Sequence, residues 1–562
     1  MSSEQGAMVQ RIAALGAATL CEAFQITAAE RPDQVAHRTL SGEVEITFAE
    51  YVERVRAIAI GLHALGVRRG DTVGIMLVNR PEFNIVDTGA MHLGAVPFSI
   101  YNTSSPEQIG HLFRNAANRV IVTERRFLPN VLAARTPELE HIVLVDGDDS
   151  GTVTLDEVMQ LRSQAFDFEA SWRAAQPDDV LTLIYTSGTT GPPKAAQLTH
   201  GSVLFQCRAL EQFAPLKPGG RSISYLPSAH VGDRTLSHYF ASLCLGTEVT
   251  SLTDHKQVGM ALVSVRPTRF GGVPRVWEKL KAGLEAAGVR EPSQLPELAK
   301  AAVRTRIGLD QVEWCVSSAA PIAADVLRFF IDLGLPLVEG WGMSEASCFA
   351  VLNPLDAIRM GTVGTALPGV ELRLADDGEM LIRAPLVFKG YRGDPERTAE
   401  AIDPEGWLHT GDIATIDGDG YVTIVDRKKE IIINSAGKNM SPANIEQRLR
   451  SASPLIAQAV CVGDRRPYNV ALLVIDPEMT GRWAAERGVK PGALHQHDEL
   501  RAAIQAAVDV ANSALSRVEQ IKRFAIIGAE WLPGGDELTP TMKLRRKPIH
   551  EKYRSEIDEL YL

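Results

Sequence analysis

The feature that most constrains the fold is a repeated alternation of short apolar strands with amphipathic helical patterns. The stretch TFAEYVERVRAIAIGLHALGV has apolar residues at helical spacing and is followed by the strand pattern DTVGIMLVN. A second helical pattern, RPEFNIVDTGAMHLGAV, leads into the strand VPFSIYN, and strands of this kind recur as far as LPLVEGWG. Because strands that alternate with helices are joined by crossovers, we predict an α/β protein with a largely parallel sheet.

The pattern of strands and helices changes towards the C-terminus. Near 360–425 the short strands in VELRLADDGEMLIRAP and DGDGYVTIVDR carry Asp-Gly turns, which favours antiparallel pairing. From Lys428 onward a compact run of strands and helices is long enough to be a domain. We therefore predict that residues 1–427 form a large N-terminal domain of α/β subdomains with a small β-barrel-like subdomain. Residues 428–562 are predicted to form a small, mobile α+β C-terminal domain.

Composition argues against several classes of function. The chain has 562 residues, 45% hydrophobic and 23% charged, which is ordinary for a soluble globular protein. The net charge of -11 argues against nucleic acid as the main partner. The 6 cysteines form no Cys-x-x-Cys pair, which is typical of reduced thiols in a cytoplasmic protein without a zinc framework. The sequence has neither a long apolar run typical of a membrane span nor the basic leader of a secretory signal.

The most distinctive short stretch is YTSGTTGPPKAAQLTH, from Tyr185 to His200. VLTLIY before it is an apolar strand, and we expect LTHGSVLF to begin a helix, so the polar residues form a strand-to-helix loop. Such loops lie at the carboxyl edge of a parallel sheet, where α/β folds bind ligands. The hydroxyls and glycines can present O–H and N–H groups to an anion, and Lys194 adds a positive charge. Pro192 and Pro193 precede that lysine and donate no N–H, which distinguishes this loop from a Walker loop.

The segment YTSGTTGPPK resembles the phosphate-loop signature of the adenylate-forming superfamily. That superfamily includes acyl-CoA synthetases, amino-acid adenylation domains and luciferases, and the resemblance continues in ordered blocks over nearly the whole chain. Ala195 and Ala196 depart from the pattern, where Gly and an aliphatic residue are usual. The resemblance implies that a set of loop residues binds the phosphates of ATP: Thr186, Ser187, Gly188, Thr189, Thr190, Gly191 and Lys194.

Three further blocks, SYLPSAH, VSSAAPI and EGWGMSEAS, resemble the acyl, adenine and metal segments of the superfamily. SYLPSAH places His230 near the substrate carboxylate, and EGWGMSEAS places Trp341, where Tyr is usual, on the adenine ring. Ser344 replaces the usual Thr and keeps a hydroxyl for the α-phosphate. By the same resemblance Glu345 ligates magnesium together with Thr186, as suits a hard cation that bridges phosphates. The other residues implied at the nucleotide are Ala319, Ala320, Pro321, Gly340, Gly342 and Met343.

The blocks near the C-terminus imply the remaining parts of the site. GWLHTGDIA carries Asp412, whose carboxylate would accept two ribose hydroxyls. VDRKKE carries Arg427, which would reach ribose or phosphate, and Lys429, which falls at the hinge of the superfamily; Ile424 precedes them at the nucleotide. ELTPTMKLRRK places Lys543 at the catalytic lysine, whose ammonium would neutralise charge on the carboxylate and α-phosphate. The loop SAGKN implies a coenzyme A tunnel lined by Ser435, Ala436, Gly437 and Lys438, with Ala436 where Gly is frequent.

These assignments imply an enzyme that uses ATP, Mg²⁺ and coenzyme A in two half-reactions. A carboxylate first attacks the α-phosphorus of ATP and gives an acyl-adenylate and pyrophosphate, a step in which positioning and charge neutralisation dominate. The C-terminal domain then turns about Lys429, and the thiol of coenzyme A attacks the adenylate. The implied catalytic residues are Lys543, Glu345, His230 and Thr186.

The sequences of several segments indicate which carboxylic acid is the substrate. SYLPSAHVGDR, GGVPRVWEKL and the C-terminal run from ELTPTMKLRRK look most like long-chain fatty acyl-CoA synthetases, so a medium- to long-chain fatty acid is expected. An amino-acid adenylation domain would carry an Asp in a Phe-Asp-x-Ser-like stretch, which is missing near 224–230. A ligase for an aryl or other non-fatty acid, one with a non-CoA acceptor, and a luciferase-type oxygenase remain as alternatives. A non-enzymatic sensor is opposed by the intact set Glu345, Asp412, Arg427 and Lys543.

Partners and location are predicted more coarsely. Local basic residues suit the phosphates of coenzyme A, and the candidates are Arg275, Lys279 and Lys438. The chain is expected in the cytoplasm. Peripheral contact with a membrane and assembly as a homodimer are both compatible with the sequence.

Overall fold

The computed structural model describes residues 12–186, 192–214, 216–433, 439–489, 494–539 and 542–562. Its helices are α1 (Leu20–Glu30), α2 (Phe48–Ala64), α3 (Pro81–Leu93), α4 (Pro106–Ala116), α5 (Leu128–Ala133), α6 (Leu155–Gln160), α7 (Phe168–Arg173), α8 (His200–Phe213), α9 (Val231–Asp233), α10 (Val258–Val265), α11 (Pro274–Ala286), α12 (Glu297–Arg306), α13 (Ala324–Asp332), α14 (Pro395–Ala401), α15 (Pro442–Ala452), α16 (Pro477–Arg487), α17 (Asp498–Ser513), α18 (Arg546–Lys552) and α19 (Arg554–Glu559). A π-helix, Arg234–Cys244, continues α9, and short 3₁₀ turns are Ala13–Gly16, Arg125–Phe127, His255–Gln257, Pro292–Gln294, Ser344–Ala346 and Leu494–Gln496.

The strands of the same residues are β1 (Val35–Thr39), β2 (Glu45–Thr47), β3 (Thr72–Met76), β4 (Val96–Ser99), β5 (Val120–Thr123), β6 (His141–Leu144), β7 (Val153–Thr154), β8 (Val180–Thr186), β9 (Lys194–Thr199), β10 (Arg221–Ser224), β11 (Glu248–Ser251), β12 (Arg269–Gly272), β13 (Trp314–Ser317), β14 (Leu337–Met343), β15 (Cys348–Leu352), β16 (Thr365–Ala366), β17 (Glu371–Leu374), β18 (Glu379–Arg383), β19 (Gly390–Tyr391), β20 (Leu408–Ile416), β21 (Val422–Arg427), β22 (Ile432–Ile433), β23 (Asn439–Met440), β24 (Ile456–Val462), β25 (Asn469–Ile475) and β26 (Ile521–Ile527).

The largest sheet has the order β19-β9-β8-β4-β3-β5-β6-β7. From β8 to β7 all neighbouring strands are parallel. Val73 and Ile75 of β3 belong to one buried cluster, whereas Met76 and Phe98 belong to another on the opposite face. Because both faces of the sheet are covered, its central strands are continuous apolar runs. The prediction of an α/β fold with a largely parallel sheet is confirmed.

Two further sheets have the orders β10-β11-β1-β2 and β12-β13-β14-β15-β16. In the second, β12, β13 and β14 are parallel, and the chain then reverses into antiparallel β15. The carboxyl ends of these parallel strands carry the segments assigned to adenine and metal.

One prediction about the phosphate loop is wrong. The chain does not pass from the loop directly into a helix, because β9 pairs antiparallel with β8 first. Ala195, Ala196 and Leu198 are buried in this pairing, which a short run with no β-branched residue before Thr199 did not indicate. Helix α8 begins only afterwards, with Thr199 as its N-cap accepting the N–H of Ser202 at 3.1 Å. The loop therefore connects two neighbouring antiparallel strands.

The region 360–425 contains the antiparallel sheet β17-β18-β20-β21, as predicted. Its Asp-Gly turns lie where the sequence placed them, with Gly378 and Gly420 both in the left-handed region at φ 83° and 84°. This sheet carries Asp412 in the middle of β20 and Arg427 at the end of β21, and the two residues are paired across these strands.

The C-terminal segment has its own sheet, β24-β25-β26. Helices α15 and α17 cover one face, and α18 and α19 pack on the other. Arg546 is held there by both oxygens of Glu446, at 2.6 and 2.9 Å, and by Glu430 at 3.0 Å. No helix in the described part of the chain combines the length and the hydrophobicity that crossing a bilayer requires.

Candidate active site

The two ends of the phosphate loop lie side by side. Thr186 ends β8 and is the register partner of Lys194, which begins β9. The Thr186 hydroxyl donates to the Lys194 carbonyl at 3.5 Å, and the carbonyl of Pro193 lies 3.0 Å from Nε2 of His111 on α4. The proline exit is thus fixed to a helix, as stiff residues at a loop end allow. The predicted phosphate ligands Ser187, Gly188, Thr189, Thr190 and Gly191 lie outside the described residues.

Glu345 stands on a tight turn at the end of β14. A Cβ on Gly342 would lie 1.6 Å from the carbonyl oxygen of Cys348, so only glycine permits this reversal into β15. Ser347 and Cys348 both have positive φ, 55° and 134°, which is a strained backbone beside the proposed metal ligand. Glu345 is 8% exposed, and its Oε1 accepts the hydroxyl of Tyr391 at 2.7 Å.

Tyr391 is a site residue that the sequence did not indicate. Its role depends on contacts between segments far apart in the chain, and no local pattern marks it. Burial and the nearby Glu345 carboxylate raise the pKa of Tyr391, so its phenol remains a donor.

Asp412 is joined to two of the predicted nucleotide residues. Its Oδ2 accepts the indole N–H of Trp341 at 2.8 Å, and its Oδ1 accepts Nε of Arg427 at 2.8 Å. Burial raises the pKa of Asp412, whereas Arg427, Trp341 and Lys543 favour its charged form. Asp412 and Arg427 are register partners on β20 and β21, so the sheet itself sets this pair.

Lys543 reaches this group from the C-terminal segment. Its backbone N–H donates to the Thr539 hydroxyl at 3.0 Å, and its carbonyl accepts the Thr539 N–H at 2.8 Å. Its side chain is exposed to solvent at its surface, and the protein groups around the ammonium displace water and lower its pKa. Arg427 adds to that lowering, whereas the carboxylates of Asp412 and Glu345 oppose it. The cation and these carboxylates therefore lie within electrostatic reach of one another.

His230 lies within electrostatic reach of the same lysine. Burial, with a smaller contribution from the charge of Lys543, lowers the pKa of His230 to about 4. Its Nδ1 accepts the N–H of Gly232 at 3.1 Å, which places the proton of the neutral ring on Nε2. Near neutral pH His230 is thus an uncharged hydrogen-bond donor.

The adenine segment follows β13. Ala319 has φ 74°, which is rare for a residue with a side chain and marks strain in this loop. Ala320 and Pro321 are exposed beside it. Glu339, a second residue that the sequence analysis missed, is 3.4 Å from the N–H of Ile322, and burial raises its pKa to about 7.

The remaining predicted nucleotide residues lie on nearby strands. Gly340 and Met343 belong to β14, Ser344 begins the turn of Glu345, and Ile424 lies on β21 opposite Ala414. The nucleotide contacts of these residues stay predictions.

The residues assigned to coenzyme A and to the hinge are placed only in part. Lys429 lies in the turn between β21 and β22, and its hinge role stays a prediction. Ser435, Ala436, Gly437 and Lys438 lie outside the described residues. Arg275 forms an ion pair with Asp476, and Lys279 lies 3.5 Å from Glu478, so both cations contact the C-terminal segment here.

Comparison with known proteins decides the family. The profile described as "AMP-binding enzyme" matches residues 24–392, and the profile "AMP-binding enzyme C-terminal domain" matches residues 429–562. The chain belongs to the AMP-binding enzyme family. The adenylate-forming superfamily expected from the sequence is thereby confirmed.

Curated relatives of this AMP-binding enzyme have consistent names. "Putative fatty-acid--CoA ligase fadD11" of Mycobacterium tuberculosis is 47% identical over 451 residues, covering 73% of this chain and 79% of that protein. "Long-chain-fatty-acid--CoA ligase FadD15" of Mycobacterium bovis is 36% identical over 574 residues, covering 94% of this chain and 95% of that protein. Both matches span most of the two chains compared.

Solved structures agree on the fold. The anthranilate CoA ligase AuaEII, crystallised with anthranoyl-AMP, has a TM-score of 0.79 at 20% identity and covers 96% of this chain and 98% of its own. The adenylation domain of a carboxylate reductase from Mycobacterium chelonae has a TM-score of 0.80 at 23% identity, with coverage of 99% and 94%. The predicted architecture, with a large N-terminal part and a smaller C-terminal part, is confirmed.

Proposed function

We propose that this AMP-binding enzyme is an AMP-forming fatty-acid–CoA ligase that activates a medium- to long-chain fatty acid. Membership of the family supports ATP-dependent adenylation. The names of relatives that match over 73% and 94% of the chain support a fatty acid as the acid and coenzyme A as the acceptor.

One observation carries the proposal: Lys543, from the C-terminal segment, lies within electrostatic reach of Asp412, Glu345 and His230. An ammonium group among groups assigned to ribose, metal and substrate carboxylate is suited to neutralise the charge that develops when a carboxylate attacks a phosphate. A cation that is already at the site before reaction gives this stabilisation with little reorganisation of water.

The neighbouring residues bind and orient the reactants. Neutral His230 donates from Nε2 to the substrate carboxylate, holding it without adding a charge that would weaken its nucleophilicity. Asp412 accepts one protein donor at each oxygen, and the second lone pair of each oxygen accepts a ribose hydroxyl. Lys194 and the loop before it hold the leaving phosphates.

The donors of the proposed metal site fit magnesium. Glu345 Oε1 is taken by Tyr391, and its Oε2 makes no hydrogen bond to any described residue. Together with the hydroxyl of Thr186 it offers hard oxygen donors, and Mg²⁺ binds through one or two carboxylates with water and phosphate completing the shell. Bound there, magnesium supplies charge neutralisation between phosphate oxygens.

The second half-reaction needs a different arrangement of the chain. We assign residues 1–427 and 428–562 to two domains and Lys429 to the hinge between them. Turning the smaller domain withdraws Lys543 and brings residues 435–438 to the adenylate. The thiol of coenzyme A then attacks the acyl carbon, the thioester forms and AMP leaves.

Pyrophosphate release tests the proposal. The protein is supplied with ATP, Mg²⁺ and a panel of fatty, aryl and amino acids, with and without coenzyme A. We expect release that depends on fatty acids of eight or more carbons (~C8 and longer) and thioester formation only with coenzyme A. Release with aryl acids alone, or acid-dependent release without thioester, would overturn the fatty-acid or the CoA part of the proposal.

A further inference from the structure

Tyr391 contacts both charged residues that flank the phosphate and metal sites. Its hydroxyl donates to Glu345 Oε1 at 2.7 Å, and the Lys194 ammonium lies 4.5 Å from the centroid of its ring. Tyr391 is 7% exposed, so both contacts are made largely out of water. A hydrogen bond to a carboxylate and a cation over an aromatic face are each strengthened by such burial.

The backbone around Tyr391 is bound to the same two segments. In β19, Tyr391 is the register partner of Ala196 on β9, the strand that leaves the phosphate loop. Lys389 donates its N–H to the Gln197 carbonyl at 2.9 Å, and Phe388 donates to the Glu345 carbonyl at 2.8 Å. The segment 388–391 therefore joins the phosphate strand to the metal turn by main-chain bonds as well as by the tyrosine side chain.

The ring also keeps two opposite charges apart. Lys194 and Glu345, both among the described residues, form no ion pair with each other within 4.0 Å, although both contact Tyr391. The Lys194 ammonium lies over the face of the ring, and the Glu345 carboxylate accepts the hydroxyl at the edge of the ring. The two charged groups therefore do not pair with each other. Lys194 remains able to bind phosphate oxygens, and Glu345 Oε2 remains able to bind a cation.

We propose that Tyr391 is a positioning residue that sets the separation and orientation of Lys194 and Glu345, and thereby the affinity of the site for Mg·ATP. This inference rests on the proposed function for the nature of the ligand. Groups that orient a metal ligand through a hydrogen bond typically change metal affinity 10- to 100-fold when removed.

Two substitutions separate the two contacts. Tyr391→Phe keeps the ring beneath Lys194 and loses only the hydrogen bond to Glu345. Tyr391→Leu loses both contacts. Tyr51→Phe is the matched control, because Tyr51 is a fully buried tyrosine whose hydroxyl also bonds within the core, to the carbonyl of Asn84 at 3.1 Å.

The measurement is ATP binding by calorimetry, without acid or coenzyme A, in excess Mg²⁺ and in EDTA. For Tyr391→Phe we expect affinity in Mg²⁺ to fall about 10-fold or more, with affinity in EDTA unchanged. For Tyr391→Leu we expect the affinity for ATP to fall in EDTA as well, because the Lys194 ammonium loses its contact with the aromatic ring. Tyr51→Phe should match the wild type under both conditions.

A double variant tests whether Tyr391 acts through Glu345. In a Glu345→Gln background, Tyr391→Phe should cause no further loss of the magnesium effect. A full additive loss, or equal losses for Tyr391→Phe in Mg²⁺ and EDTA, would overturn the proposal. The assay uses neither acid nor coenzyme A, so failure to activate any acid would overturn the proposed function while leaving this result readable.

Discussion

At the scale of single residues, Lys543 has the sharpest expected phenotype. Lys543→Ala should slow acyl-adenylate formation about 100-fold or more, because a preorganised charge at the reacting oxygens is lost. Thioester formation from supplied acyl-adenylate should be preserved, since the lysine leaves the site in that half-reaction. Both rates can be measured separately by pyrophosphate release and by thioester formation.

The matched control is Lys547→Ala, an exposed lysine in the same segment, which should leave both half-reactions unchanged. Equal loss of both half-reactions in Lys543→Ala would contradict the assignment of the lysine to adenylation alone.

Asp233 gives a prediction about pH and stability. It is buried next to the π-helix, accepts the hydroxyls of Ser224 and Ser237 at 2.9 and 3.1 Å, and burial raises its pKa to about 7. Between the ordinary aspartate pKa and pH 7 the unfolded chain is ionised while the native carboxyl keeps its proton. The unfolded state then binds fewer protons, so stability falls as pH rises through this window and is level above it.

Asp233→Asn removes that dependence. Relative to the wild type, its free energy of unfolding should rise by about 2–4 kcal/mol between pH 4 and pH 8, because burial raises the native pKa of Asp233 from its ordinary value to about 7. Urea denaturation at several pH values measures this change. The exposed Asp33→Asn should show no such trend, and a parallel pH profile for Asp233→Asn and wild type would refute the prediction.

Single residues also show what the sequence could predict. Glu345, Asp412 and Lys543 lie in segments whose local sequence carries the family resemblance. The structure brings the three residues within electrostatic reach of one another. Tyr391 and Glu339 could not be found in this way. Their importance comes from a hydrogen bond across 46 positions in the chain for Tyr391, and from burial for Glu339; local patterns encode neither.

At the scale of secondary-structure elements, the π-helix Arg234–Cys244 is tied to α3 by charge. Arg234 and Asp87 form an ion pair with both side chains 0% exposed. Arg234 also donates to the Ser99 hydroxyl at 2.8 Å, and the Tyr239 hydroxyl donates to Asp87 at 3.2 Å. These contacts fix the π-helix, which begins shortly after His230, to helix α3. π-helical turns are frequent at functional sites.

Removing one partner of this pair should be costly. Asp87→Asn leaves the Arg234 charge buried without its counterion and should lower the free energy of unfolding by about 3–5 kcal/mol. The double variant Asp87→Asn with Arg234→Met should recover part of that loss, because no unpaired charge remains. Chemical denaturation of the three proteins measures the coupling, and a double variant no more stable than Asp87→Asn would speak against it.

The element scale explains the one error about the phosphate loop. Strand β9 has the sequence KAAQLT, with two alanines and no β-branched residue before Thr199, so its strand propensity is weak. Pairing with β8 on one side and β19 on the other makes them a strand. That stabilisation is tertiary, and no window of local sequence contains it.

At the scale of the whole molecule, ion pairs join the C-terminal segment to helix α11 of the N-terminal part. Arg275 and Lys279 lie one turn apart on α11 and pair with Asp476 and Glu478 at the start of α16. Asp476 also caps α16 by accepting the N–H of Glu478 at 3.0 Å, so this ion pair acts on a rigid helix end. We expect these pairs to favour the arrangement in which Lys543 is at the site.

The variant Arg275→Gln with Lys279→Gln should therefore slow acyl-adenylate formation by about 3- to 10-fold, while thioester formation from supplied acyl-adenylate is not reduced. This effect on the rate is small because the Lys279–Glu478 pair is exposed and largely screened by solvent, whereas the Arg275–Asp476 pair is less exposed. Raising the salt concentration should slow wild-type adenylation in the same direction and have less effect on the variant, because screening weakens only charges that are still paired. Arg359→Gln, which removes an exposed ion pair with Asp417 far along the chain from α11, should change neither half-reaction. If the double variant lowered both half-reactions equally, the pairs would be serving the stability of the chain and not the choice between its two arrangements.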